Sequence, residues 1–219
     1  MRGPRSPVIL VQGLACSREA LGPLERRIGT RLGRPALRPC RGLGFRDLRD
    51  TAFGLYEALE RAPSTSPFER MDIVAHSMGG LVAAYLLKCL DQGRRVRRVV
   101  ALGTPFAGVA GGSLGRLFGP FGTPLRQVAR NSSLLRLLHE LPVPSGSALI
   151  SIRGQSDRIV PPEASGPPGI PGHHGIDVPG CDHARLLLGA RAFEAIARAL
   201  SLGPREIGGV PQSGHRVAA

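Results

Sequence analysis

The stretch Met71-Asp72-Ile73-Val74-Ala75-His76-Ser77-Met78-Gly79-Gly80 decides the fold. A short apolar run ends on a serine, and helical spacing begins directly after it, with Leu81, Tyr85 and Leu86 at intervals of about four and one. A strand that turns into a helix without an intervening loop brings its two backbones almost into contact. Only small residues fit two places before and two places after the serine, and Ala75 and Gly79 hold those places. A serine that merely caps a helix needs no such pair of small neighbours.

The same strand-then-helix rhythm extends in both directions. Strands are expected at Val8 to Val11, Ala36 to Pro39, Met71 to Ala75, Val96 to Leu102, Ala148 to Arg153 and Ile176 to Val178. Between them, apolar residues recur at helical spacing: Leu21, Leu24, Ile28 and Leu32, then Leu48, Ala52, Leu55 and Leu59, and finally Phe193, Ile196, Ala197 and Leu200. Short apolar runs alternating with amphipathic ones predict an α/β fold, a mostly parallel sheet of about six strands with helices on both faces. Phe106 to Gly146 breaks the rhythm and is expected to be a small cap insertion between two strands. Beyond Gly203 the chain loses all periodicity and is expected to be a disordered tail, leaving residues 1–202 as one domain.

The chain has 219 residues, 42% of them hydrophobic, enough to bury one sizeable core. Its net charge of +13 raises nucleic acid or an anionic membrane as a partner. Against nucleic acid, Lys88 is the only lysine and the arginines are scattered between apolar positions. The densest group, Arg94, Arg95, Arg97 and Arg98, falls where a strand begins, whereas ligands of open α/β sheets bind at the strands' C-terminal ends. It is expected to be a solvated charged turn. Peripheral contact with a membrane surface stays compatible with the arginine excess. Cys16, Cys40, Cys89 and Cys181 show neither CxxC spacing nor a partnering histidine pattern, so they are expected to be reduced thiols, with no metal site. Met1 to Pro7 runs straight into a four-residue apolar segment, too short for a signal-peptide core, and no run reaches transmembrane length. A cytoplasmic location is expected.

At the Ser77 turn the chain resembles the bacterial lipase and esterase branch of the α/β-hydrolase superfamily. That branch carries A-H-S-M-G or G-H-S-M-G, followed after the next strand by L-G-T-P, matched here by Ala75 to Gly79 and by Leu102 to Pro105. The chain is also similar to the GPI inositol-deacylase-like group. The resemblance runs from Val8 to about Leu200 and starts at the third strand of the full superfamily sheet, which implies a minimal six-stranded core.

The resemblance implies a serine hydrolase acting on carboxylic esters, with Ser77 as nucleophile. The oxyanion of the tetrahedral intermediate then needs preorganised backbone donors, and the family's pattern puts them at the N–H groups of Met78 and Leu14. Gln12 replaces the usual histidine of that first turn, and its amide can still pin the loop. Triad order in this fold is serine, acid, histidine. Among His76, His139, His173, His174, His183 and His215, only His183 follows the last strand and precedes the final helix; His173 and His174 are placed in the loop before that strand. Asp157 follows the fifth strand and opens a D-x-I-V-P stretch shared with related lipases; Asp177 and Asp182 are its rivals.

Such a triad works without metal or organic cofactor. The expected substrate is a small-molecule or lipid ester, with Phe106, Phe118 and Phe121 of the cap lining its acyl group. The same residues would serve a thioesterase or an amidase. A non-catalytic lipid-binding protein of this fold is the alternative from another class.

Overall fold

The computed structural model describes residues 6–13, 18–39, 47–61, 70–109, 122–166 and 172–202. Six strands form one sheet: β1 (Val8–Val11), β2 (Ala36–Leu37), β3 (Met71–His76), β4 (Val96–Leu102), β5 (Ala148–Gly154) and β6 (His173–Val178). Their order is β2-β1-β3-β4-β5-β6, and every pairing is parallel. The helices are α1 (Gly22–Leu32), α2 (Leu48–Glu60), α3 (Gly79–Tyr85), α4 (Gly122–Gln127), α5 (Ser133–Glu140), α6 (Arg185–Leu188) and α7 (Ala190–Ser201).

This order fixes which helices share a face. The step from β1 to β2 runs one way across the sheet, and every later step runs the other way. Right-handed crossovers therefore send α1 to one face and α2, α3 and α5 to the opposite face. Two apolar layers follow. One joins Leu48 and Leu55 of α2, Leu81 of α3 and Leu134 and Leu138 of α5 to Ile9, Ile73 and Val99. The other joins Leu24 and Ile28 of α1, Leu186 of α6 and Phe193 and Ile196 of α7 to Leu10, Val74 and Val100. Alternate residues of β1, β3, β4 and β5 feed alternate layers, and truncating one of these fully buried leucines would cost about 2–5 kcal/mol.

The strand order reverses between β1 and β3. Neighbouring crossovers leave that point in opposite directions and open a crevice beyond the strands' C-terminal ends. Ser77 follows β3 there, and Gln12 and Gly13 follow β1.

Two local expectations change. β6 starts at His173 rather than Ile176, so His173 and His174 belong to the strand and pair with Leu149 and Ile150. The arginine group is a solvated turn only in part: Arg94, before β4, is 58% exposed, whereas Arg97 and Arg98 lie within the strand. Asp72 in β3 is fully buried, and Arg34, Arg97 and Arg98 all engage its carboxylate at 2.6 to 3.3 Å. A buried carboxylate needs its charge balanced, and Arg98 also donates to the Ala199 carbonyl of α7. These arginines fasten the N-terminal edge of the sheet.

The helix begun by α3 continues as a π-helix over Leu86–Asp91. It carries the buried Lys88, whose ammonium donates to the carbonyls of Leu138 and Leu141, at 2.7 and 2.8 Å, at the C-terminal end of α5. Burial draws Lys88 down to about 8. Within the expected cap insertion, the described part holds α4, α5 and a bridge between Val109 and Ala129. Cys89 and Cys181 are free thiols, while Cys16 and Cys40 lie outside the described residues, as does the expected tail. Among the described residues no helix is long and apolar enough to cross a membrane.

Candidate active site

Ser77 sits at φ +54°, a backbone region that residues with a Cβ adopt at a cost of about 1–3 kcal/mol. The surroundings hold it there. Its N–H donates to the Leu102 carbonyl at 2.8 Å, and its own carbonyl accepts from Gly80 N–H at 3.0 Å and from Thr104 Oγ1 at 2.9 Å. Of the small residues expected around the turn, Gly79 is required, and its neighbour is another element. A Cβ on Gly79 would stand 2.5 Å from the Gln12 carbonyl oxygen, so the turn after β1 is what crowds the start of α3. A Cβ on Gly13 would stand 2.8 Å from Ser77 Cβ and 3.4 Å from Ser77 Oγ. The two turns of the crevice thus meet at the serine. Leu14, expected as the second oxyanion donor, lies outside the described residues.

Asp157 follows β5 with its side chain fully buried. Its Oδ1 accepts the N–H groups of Ile159 and Val160 at 2.9 and 2.8 Å, which fixes the carboxylate plane, and its Oδ2 faces His183 Nδ1 at 2.7 Å. The expected acid and base are therefore joined. The rivals are engaged elsewhere: Asp177 pairs with Arg153 at 2.7 Å, and Asp182 accepts the Arg185 N–H at the start of α6.

The chain from Leu102 to Thr104 links this pair to Ser77. Gly103, at φ +54°, lies between them, and a Cβ there would stand 3.0 Å from Asp157 Oδ2 and 3.1 Å from His183 Nδ1. Its neighbours on either side, Leu102 and Thr104, bind the Ser77 N–H and carbonyl. One three-residue loop thereby touches all three residues. Leu102 to Pro105 carries the family motif, Gly13 falls in the turn after β1 and Gly80 ends the Met71 to Gly80 stretch, but the sequence pattern assigns no separate role to Gly13, Gly80, Gly103 or Thr104. A glycine followed by a hydroxyl residue after a buried strand was the available signal.

His76 points at the base. Its Nε2 lies 3.0 Å from the His183 carbonyl, and the two rings are 4.5 Å apart. Burial, and then the charge of His183, hold its ring down at about 3. His139 on α5 contacts the Phe106 carbonyl through Nε2 at 2.7 Å. Phe106, expected to line the acyl site, is 1% exposed and packs edge-on to the His173 ring. Phe118, Phe121 and His215 lie outside the described residues.

A second serine–histidine pair exists. Ser151 Oγ and His173 Nε2 are 2.7 Å apart. Ser151 is 1% exposed in the middle of β5, and His173 Nδ1 has no hydrogen-bond partner. Burial first, then the charges of Lys88, His174, His139 and Arg153, hold His173 down at about 3, and no carboxylate among the described residues orients it. This pair lacks both the turn and the acid that the Ser77 site has.

No family model matches the sequence, and comparison with curated proteins returns no match. Solved structures do match. The chain superposes on the mature form of the lipase BlEst2 from Bacillus licheniformis with a TM-score of 0.73 at 16% identity, over 92% of this chain and 94% of that one. For phospholipase PlaB from Legionella pneumophila, in complex with thio-NAD, the TM-score is 0.71 at 17% identity, over 93% of this chain and 60% of that one. A thermophilic esterase from Thermogutta terrifontis gives 0.57 at 17% identity, over 94% and 91%. The chain has the α/β-hydrolase fold, in a minimal six-stranded form.

Proposed function

We propose that this protein is a serine hydrolase that cleaves carboxylic esters, with Ser77 as nucleophile, His183 as general base and Asp157 as the acid that orients it. The observation that carries the reading is the 2.7 Å contact between His183 and a fully buried Asp157, built on the loop that also binds Ser77 at its strained turn. A solved lipase, a phospholipase and an esterase with the same fold agree with it.

In this reading Ser77 Oγ attacks the ester carbonyl as His183 Nε2 takes its proton. Asp157 accepts a hydrogen bond from Nδ1–H and so holds the tautomer that leaves Nε2 free to act. The negative charge on the former carbonyl oxygen meets the N–H groups of Met78 and Leu14. His183 then protonates the departing alcohol, and water repeats the sequence to release the acid. Neither step needs a metal or an organic cofactor. Hydrolysis of a soluble p-nitrophenyl ester by the wild type and by Ser77→Ala tests the reaction: the variant should lose on the order of 10⁶ in turnover, and equal rates would reject it.

The finer reading is a lipase-like taste for medium or long acyl chains. It rests on the residues from Phe106 to Gly122, where phenylalanines and leucines alternate with glycines. A rate that rises with acyl length, and a rise that Phe118→Ala with Phe121→Ala abolishes, are the expected outcomes; a flat profile leaves a plain esterase. The same triad accepts thioesters and amides, so those substrates belong in the same panel.

A further inference from the structure

We propose that Thr104 is a positioning residue of the oxyanion site, its hydroxyl holding the Ser77–Met78 peptide in the plane that presents the Met78 N–H to the developing charge. The inference rests on the ester-hydrolase reading of the site. It starts from the geometry of the peptide bond, which is planar and trans, so the carbonyl of Ser77 and the N–H of Met78 point in opposite directions along one rigid unit. Whatever grips that carbonyl aims that N–H.

Two donors grip it. Gly80 N–H lies at 3.0 Å, within the chain's own turn, and Thr104 Oγ1 lies at 2.9 Å, from another strand's end. A carbonyl oxygen carries no proton, so the Thr104 hydroxyl is the donor. Thr104 is fully buried, which leaves the bond free of competition from solvent. The grip matters because Ser77 at φ +54° is strained, and rotation of the following peptide is one way that strain could relax. A carbonyl that accepts two hydrogen bonds also polarises its own peptide and makes the opposite N–H a stronger donor.

The fit around Thr104 is close. A Cβ on Gly80 would fall 1.9 Å from Thr104 Oγ1 and 2.7 Å from its Cγ2, so glycine at 80 is what lets the threonine reach the carbonyl. Leu102, two residues earlier, accepts the Ser77 N–H. The loop thus fixes the peptide planes on both sides of the nucleophile, and Thr104 governs the one that carries the oxyanion donor.

The test compares wild type, Thr104→Val, which keeps the shape and loses the hydroxyl, and Thr104→Ser, which keeps the hydroxyl. Each is assayed for kcat and KM on a p-nitrophenyl ester, for inhibition by an alkyl boronic acid, and for thermal midpoint. Removing an oxyanion donor outright costs about 10² to 10³, so mis-aiming one should lower kcat in Thr104→Val by about 10- to 100-fold. KM should stay within about twofold, and boronate affinity should weaken in step with kcat, because the tetrahedral adduct uses the same N–H. Thr104→Ser should recover most of the loss. Thr104→Ala, read in the same assays, replaces the valine variant if that one does not fold. The proposal is overturned if the hydroxyl-free variant folds and keeps wild-type kcat, if serine rescues nothing, or if kcat falls while boronate affinity does not. A wild type that neither hydrolyses esters nor binds the boronate overturns the ester-hydrolase reading itself, and this role with it.

Discussion

His76 Nε2 donates to the backbone carbonyl of His183 at 3.0 Å, so the residue before the nucleophile steadies the residue proposed as base. Because a carbonyl only accepts, this bond fixes His76 as the Nε2–H tautomer. Burial keeps it neutral, with its proton affinity drawn down to about 3.

Stability should therefore fall in mild acid. His76 and His173 are both held at about 3, below the 6.5 of an unfolded chain. Between those values the unfolded state binds more protons, so stability is full above about pH 6.5 and is lost as the pH falls toward 3. Each histidine contributes a slope approaching ~1.4 kcal/mol per pH unit. Urea unfolding between pH 7 and 4 should show a slope that His173→Gln reduces by about one proton; an unchanged slope would contradict the buried, neutral state assigned to His173.

Replacing the three aspartates separately should single out Asp157. Asp157→Asn should lower kcat on a soluble ester by about 10⁴, the cost of a wrong imidazole tautomer in a comparable triad. Asp177→Asn gives up an ion pair with Arg153, and Asp182→Asn a backbone contact at the start of α6, so both should keep turnover near that of the wild type. A crippled Asp182→Asn with an active Asp157→Asn would move the acid.

Gly103→Ala should strike the same pair from the side. The added methyl group would press on Asp157 Oδ2, His183 Nδ1 and, at 2.8 Å, Leu186 Cδ1, from a backbone conformation already unfavourable to alanine. Displacing the imidazole by about 1 Å can cost about 10² in rate, so kcat should drop by about that factor, with circular dichroism unchanged at room temperature. Full activity in this variant would mean that the Asp157–His183 contact is not the working geometry.

Most of the sheet was legible because strands buried on both faces read as unbroken apolar runs, as Val8 to Val11 and Val99 to Leu102 do. β6 was shortened because an edge strand has a neighbour on one side only. Its His174 to Asp177 are half-buried, so His173 and His174 carried no apolar signal. Arg97 and Arg98 read as surface charges since nothing local reveals that Asp72, 25 residues earlier, is buried beside them. The places of Ser77 after β3, Asp157 after β5 and His183 after β6 were legible from chain order and the turns around them. Gly103 and Thr104 were not, because their work is done on residues distant in sequence, Ser77, Asp157 and His183.

The central claim is that Ser77, and not the buried Ser151, is the activated serine. Both lie in serine–histidine neighbourhoods, so the measurement must identify the residue that reacts. Incubating the folded protein with a fluorophosphonate probe and mapping the adduct by peptide mass spectrometry does so, since only an activated serine beside oxyanion donors reacts quickly with such a reagent. The account predicts one adduct, on Ser77, lost in Ser77→Ala and retained in Ser151→Ala. An adduct on Ser151, or a folded protein that takes up no probe at all, would contradict it.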